Sequence, residues 1–496
     1  MTKTNSKKAL LSSAFALVLS VAMLIGTTFA WFTDTASTGV NKIVSGNLKV
    51  DIIGENSDSH IEKLNFKKAA ATDAEAGAAI LWEPGCRYLT EGFRIANKGN
   101  LALKWKAQVN MNNIINGKVE GSTIAKDGKS LLDVIDFYVV TSTDENAEAV
   151  AIENFVGNLT AGAKSGVYYI KGVMQTTAGN DYQDLTLDGI TVTVIATQDT
   201  VENDSFGNQY DKDAEYPILV TTGDELQAIV SNATAPVNIV LANSITTNNF
   251  VIPADKDVTL DLNGRTVTNA GSHTILNKGH LTLTDSSTDK SGQIISLKGN
   301  TAALRNGDNA VCVVEGGTIS RDGANGNTWH VVENFGKMTF NGGKVVLKNG
   351  NGFAITNGWN YFDPGASTTH AVMEINALEL DTDSSGIKNC RYGDLTVNDA
   401  TVTSTGYWAL SNDYLGTAVI NGGTLTSNSF KAVSNGAAMT VNGGTFDGTE
   451  GLFLQSYATS TVLNGGTFTN MNVDALSSYV GTGHTAQQSG TSVIIK

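Results

Sequence analysis

Cysteine is almost missing. Cys86, Cys312 and Cys390 are the only three in 496 residues and none is spaced CxxC, which excludes a disulfide framework and a zinc knuckle. Cys312, inside Val311-Cys-Val-Val, reads as a small buried hydrophobe. Proline is scarce at five residues while glycine reaches 52, so the glycines are expected in tight turns rather than in a loose linker. Histidine numbers six, and His60 is the only one before His273, so the HExxH pair of a zinc hydrolase cannot be assembled in the first half. Basic charge is short as well: 33 Lys and Arg face 48 Asp and Glu, a net −15. Phosphate backbones need a basic face, so no nucleic acid is expected as a partner. Acidity on this scale is read as solubility.

What is present begins with a leader. Lys3, Lys7 and Lys8 precede an uncharged apolar run from Ala9 to Phe29, and the small residues Thr28 and Ala30 follow the pattern of a signal-peptidase site. Cleavage between Ala30 and Trp31 removes residues 1–30 and leaves a chain expected outside the cell. A run of about twenty apolar residues is also long enough to anchor in a membrane. Between residues 31 and 212 apolar residues alternate at Leu48, Val50, Ile52; at Leu101 to Val109; at Ile135, Phe137, Val139; and at Ile190, Val192, Val194. Period-two patterning of this kind predicts antiparallel strands with one buried face, hence a β-sandwich of jelly-roll type. Gly99 is expected at positive φ in a turn, and Asn146 to Phe155 as a short helix.

Three groups of residues carry a resemblance. They are Lys7-Lys8, Gly26-Thr27, Ala30, Phe32 to Asp34 and Ser45-Gly-Asn-Leu48; Trp82-Glu-Pro-Gly85 with Phe93 to Leu101; and Ala196 to Thr200 with Asp204-Ser-Phe-Gly207. Over residues 7–212 the chain resembles the TasA/camelysin family of exported proteins. The resemblance implies processing by a SipW-type signal peptidase and a TasA-like sandwich that is not a protease here, for want of ligands. It also implies donor-strand assembly, in which Trp31, Phe32, Val40, Ile43 and Val44 complete the sheet of the next subunit. The same segment read by itself is an ordinary first strand or a tail. The implied partners are further copies of the chain or other TasA-like subunits, in a biofilm matrix or at a cell surface.

After a polar, acidic boundary from Val201 to Tyr216, Thr222 is placed to cap a helix with Leu226, Ile229 and Val230 on one face. Residues 213–235 are therefore read as linker and cap. Residues 236–496 are read as the repeat domain, in which from Val258 onward one phrase recurs, apolar-x-apolar-Asn-Gly-Gly-Thr-apolar, at Asn341, Asn421, Asn442 and Asn464, with weaker copies. A period near 22 residues predicts a parallel β-helix, expected to be right-handed. A second column, Asn277, Asn306, Asn334, Asn357, Asn389, Asn412 and Asn435, falls between these anchors, each two residues after an aliphatic one. Coils stacked about 4.8 Å apart let equivalent amides hydrogen-bond, so these asparagines are expected to form a structural ladder.

Aromatic residues gather near that second column: Trp329, His330, Trp359, Tyr361, Tyr392, Tyr407, Trp408 and Tyr414. They form a candidate platform for stacking sugar rings, of soluble glycans or of a host or bacterial surface; the other reading has them covering coil edges. An enzymatic alternative, a polysaccharide lyase or glycoside hydrolase, needs suitably spaced carboxylates, for which Asp381, Asp383 and Arg391 are the candidates. No catalytic residue is assigned. No cofactor or metal is expected, although Asp381-Thr-Asp383-Ser-Ser-Gly386 faintly resembles a calcium loop, with Tyr392 where the closing Glu belongs.

Overall fold

The computed structural model describes residues 47–61, 64–67, 80–111, 114–115, 118–119, 129–144, 147–187, 190–199, 215–322, 329–359 and 369–496. The cleavage site Ala30/Trp31 and the donor segment with Phe32, Val40, Ile43 and Val44 lie outside the described residues, as does Tyr361. The fold is all-β; Gly223–Asn232 and Val473–Leu476 are the α-helices among the described residues.

The N-terminal sheets are antiparallel throughout. Leu103–Met111 pairs with Ile190–Gln198 and with Val156–Leu159, Tyr169–Met174 lies at the centre of a five-stranded sheet, and Val50–Gly54 pairs with Phe93–Asn97. All three sheets contribute to one core around Trp105, which is 1% exposed and packs edge-on against Phe155 at 4.8 Å. Gly157 lies directly across the strand pair from Trp105, where a Cβ would come within 2.6 Å of the indole. Two local expectations are corrected. Gly99 is not at positive φ; it is glycine because a Cβ there would meet the Asn47 carbonyl oxygen at 2.2 Å. The expected helix up to Phe155 is a single 3-10 turn, Ile152–Asn154, since Val150–Ala151 is taken into the sheet beside Tyr138 and Val139.

From residue 218 to 468 the chain winds about ten turns of a β-solenoid. Each full turn supplies one short strand to each of three parallel sheets. The first sheet runs from Ile218–Val220 to Ser460–Leu463, the second from Ile245–Thr247 to Gly466–Phe468, and the third from Phe250–Ile252 to Leu452–Leu454. Register is exact from turn to turn: Leu260, Leu283, Val314, Phe340, Ile375, Val397, Ile420, Val441 and Leu463 are successive Cα partners and all are buried. Each such side chain contributes about 1.5–3 kcal/mol by leaving water. The Asn-Gly-Gly-Thr phrase makes the corner from first to second sheet. A Cβ on Gly422 would lie 2.7 Å from the Asn398 carbonyl oxygen below it, and Gly423 has φ +93°, so each glycine is required for a different reason.

Both ends are closed. Thr222 Oγ1 accepts the Glu225 amide to start the helix Gly223–Asn232, whose Leu226 and Val230 are buried against the first turn. Gln227 donates to Val251 O and accepts from Val251 N, satisfying the edge strand that would otherwise be left bare. The repeat was expected to continue to residue 496, but parallel winding stops at Phe468. Ser492–Ile495 turns back antiparallel onto Gly466–Phe468, closing the second sheet's open edge.

Candidate functional site

The third sheet presents the face with the richest chemistry. Its strands follow an inward-outward-inward triplet, aliphatic-x-Asn, and the inward asparagines form a continuous ladder. Asn277, Asn306, Asn334, Asn357, Asn389 and Asn412 each donate from Nδ2 to Oδ1 of the next asparagine, ending at Asn435, over 2.7–2.9 Å. All are at most 1% exposed. Because Oδ1 of Asn334 accepts the Gly336 amide while Nδ2 also donates to Val372 O, the backbone dictates which way each amide faces.

The residue between aliphatic and Asn lies on the outer side of the sheet and forms a polar floor: Arg305, Glu333, Thr356, Lys388, Ser411, Ser434 and then Phe453 are successive partners, of which Glu333, Thr356 and Ser434 are themselves buried. Arg305 pairs with Glu333 at 3.0 Å and Lys388 with Asp413 at 3.3 Å. Burial pushes the Glu333 carboxyl above its ordinary range, and the Arg305 guanidinium draws it partway back. Arg321 faces into the solenoid at the entrance to this sheet, where its Nη atoms hold the carbonyls of His330 and Lys298 at 3.3 and 3.4 Å. Desolvation lowers its pKa to about 10. His330 is neutral for the same reason, its pKa lowered to about 4, and its Nδ1–H meets Phe353 O at 3.0 Å.

Aromatic rings rise on both sides of this floor. Along the corner from second to third sheet stand Trp329, 5.8 Å from His330, and further down Tyr407 and Trp408, both packed on Phe430 at 4.7 and 4.6 Å. Trp408 also stacks on Phe453, over which Lys431 lies at 3.5 Å. Along the corner from third to first sheet stand Trp359, tilted against Phe335 at 4.5 Å, then Tyr392, Tyr414 and Tyr457. The result is a strip with a polar floor and two aromatic margins. Tyr407, Tyr414 and Tyr457 are 56, 45 and 51% exposed, the only tyrosines among the exposed large hydrophobic side chains of the described residues, and all three flank its last turns. Tyr392 and Leu415 occupy equivalent corner positions at φ +59° and +60°. Bulky side chains in that region cost on the order of 1–3 kcal/mol each, and such strain concentrates at functional sites.

Of the eight aromatic and histidine candidates, seven are described and the fold brings all seven to this one face; their contacts divide them between covering and exposure. Trp359 and Trp408 are partly buried on other rings, whereas Tyr407 and Tyr414 are open. Sequence reasoning missed the floor, Arg305, Glu333 and Lys388, and the ring Phe335; Tyr457 was legible in the sequence as one of the aromatics near the second asparagine column. The signal was available at the middle of each aliphatic-x-Asn triplet. The enzymatic candidates do not converge. Asp381 is on the second sheet, 2.7 Å from Lys344; Asp383 accepts the Gly350 amide at 3.2 Å; Arg391 lies beyond the far side of the third sheet, against Tyr392. Asp383 thus holds the turn at Asn349-Gly350. Among the described residues no group of three or more His, Cys, Asp or Glu side chains is placed to hold a metal ion. No helix of the described residues is long and apolar enough to cross a membrane.

No family model matches the sequence, and neither a curated protein nor a solved structure matches it.

Proposed function

We propose that the protein is a secreted structural and adhesive component of a cell surface or biofilm matrix, and that the third face of its solenoid binds glycans. The observation that carries this reading is the strip itself: a polar floor with an aromatic margin on each side and three open tyrosines. Sugar rings stack their C–H faces on aromatic rings while their hydroxyls meet polar side chains, and a long flat strip suits a polymer better than a closed pocket does. The leader pattern of residues 1–30 and the acidic composition support export. The TasA resemblance supports a sandwich over residues 31–212 that joins copies of itself or related subunits, with Trp31 to Val44 as the donor segment. In this arrangement the β-solenoid of residues 218–468, capped by the helix Gly223–Asn232, is the displayed part.

The test of binding is co-sedimentation of the full mature chain with insoluble polysaccharides, beside a Tyr407→Ala/Tyr414→Ala/Tyr457→Ala variant. These rings are exposed, so the variant is expected to fold. Binding by the parent and about a tenfold or greater loss in the variant is the expected result, since each stacked ring contributes about 0.5–1.5 kcal/mol. Equal retention of the two proteins sinks the reading. Assembly is checked by electron microscopy of the mature chain with and without Trp31 to Val44: filaments only with the segment are expected, and filaments in both rule out strand donation by it.

A further inference from the structure

The dipeptide Asn-Gly stands in two settings on the solenoid. Asn306, Asn357 and Asn435 on the third sheet are fully buried, and the amide after each is engaged: Gly307 donates to Asn277 O, Gly358 to Asn334 O and Gly436 to Asn412 O, over 2.7–2.9 Å. Asn341, Asn421 and Asn442, at the corners between first and second sheets, are exposed. Their glycines press Cα against the turn beneath, where a Cβ on Gly342, Gly422 or Gly443 would lie 2.7 Å from the carbonyl oxygen of Glu315, Asn398 or Asn421 in turn. None of these three glycine amides has an acceptor among the described residues. Each of the three carboxamide oxygens, by contrast, accepts an N–H from the turn above: Asn341 from Asn376, Asn421 from Asn442 and Asn442 from Asn464, over 2.8–2.9 Å.

An unbonded backbone amide next to a polarised carboxamide is the arrangement from which asparagine cyclises. We propose that the outer corner column is a self-modifying site, in which Asn341, Asn421 and Asn442 of the folded chain become aspartate and isoaspartate with the ladder's own N–H groups assisting. The glycine nitrogen gives its proton to water and attacks Cγ, forming the N–Cγ bond of a five-membered succinimide. The Cγ–Nδ2 bond breaks, its electron pair leaves with Nδ2, and Nδ2 takes a proton from water and departs as ammonia. Water then adds to either carbonyl of the ring and opens it, giving an α- or β-linked aspartyl residue. Negative charge gathers on Oδ1 during the attack, and the N–H donated from the turn above stabilises it. Glycine has no Cβ to hinder its nitrogen. In the inner column the same chemistry waits on opening of the third sheet, because the nitrogen is bonded to a carbonyl and the side chain is shut off from water. Each conversion exchanges a neutral amide for a carboxylate, so the chain grows more acidic with age along this one edge.

The experiment incubates the full chain in mildly alkaline buffer below its unfolding temperature and maps acid-digested peptides by mass spectrometry, which locates each exchange of amide for acid. Asn341, Asn421 and Asn442 are expected to convert at least about tenfold faster than Asn306, Asn357 and Asn435. In denaturant the gap is expected to close, since the dipeptide is the same throughout. Asn442→Ala removes the donor to Asn421 and should slow that residue about fivefold, while Asn341, whose donor is Asn376, keeps its rate. Asn376→Ala is the reciprocal variant, in which Asn341 slows and Asn421 does not. Continued protection of the inner asparagines reports that either variant is folded. Equal rates for the two columns in the folded chain, or a gap that survives in denaturant, overturns the proposal. So does an Asn421 that converts in folded Asn442→Ala as fast as in the parent.

Discussion

Two asparagine ladders climb the same solenoid in opposite directions. The inner one, on the third sheet, passes each Nδ2 proton toward the C-terminal turns and is shut off from water. The outer one, at the Asn-Gly-Gly corners, runs from Asn464 through Asn442, Asn421, Asn398 and Asn376 to Asn341, each donating toward the N-terminal turns over 2.7–2.9 Å. It ends on Glu315, which accepts from Asn341 at 2.8 Å. A carboxylate only accepts, so Asn341 must donate to it, and every amide above is oriented in turn. The inner ladder needs no such terminus because backbone groups orient each amide. The same side chain at the same 22-residue period is thus a buried strut in one place and a solvated ornament in the other; burial sets its energetic weight, not its hydrogen bonds.

The inner ladder is where the contrast breaks most sharply. Asn389 accepts from Asn357 and donates to Asn412 Oδ1, Gly393 O and Thr417 O. Asn389→Leu leaves several of these buried groups unmet and is expected to cost about 3–5 kcal/mol, read as a shift in the denaturant midpoint. Next comes acid. His273 and His330 are held neutral by burial, with pKa values near 4 instead of 6.5. The unfolded chain therefore binds more protons between those values, and stability present above pH 6.5 is lost as pH falls toward 4, by on the order of 3 kcal/mol at His330 and less at the more exposed His273. Glu333, displaced upward, works in the opposite sense and softens the fall. His330→Asn should flatten the dependence of unfolding midpoint on pH across that window; an unchanged slope would mean that His330 does not contribute. The smallest effect is expected at the outer ladder, where Asn421→Ala should cost less than about 1 kcal/mol because water replaces the lost partners. A loss there equal to that of Asn389→Leu would erase the distinction between the ladders.

Legibility in the sequence followed chain distance. The triplets Ile387-Lys388-Asn389 and Leu410-Ser411-Asn412 carry their register openly, since each turn is a local event repeated, and the ladder and the cap at Thr222 could be read from spacing. Gly99 was misread because its constraint comes from Asn47, in the segment that leads into the strand Val50–Gly54. The close of the solenoid at Phe468 was missed because antiparallel return by Ser492–Ile495 has no repeat to announce it. The aromatic candidates were recognisable as a set, yet which were open was not: Trp408 is covered by Phe430 and Phe453 from later turns, while Tyr457 is exposed.

The sequence alone determines the period, the parallel winding and the identity of what stacks on what, because a parallel solenoid repeats one turn and hydrogen-bonds each residue to its equivalent; that the turn has three sides came from the structure. Only the tertiary structure decides which corner each side chain shares with those from other turns. Trp359 and Arg391 are 32 positions apart in the chain and pair across a β-bridge. That neighbourhood arises from the stacking of turns, which local sequence pattern does not encode.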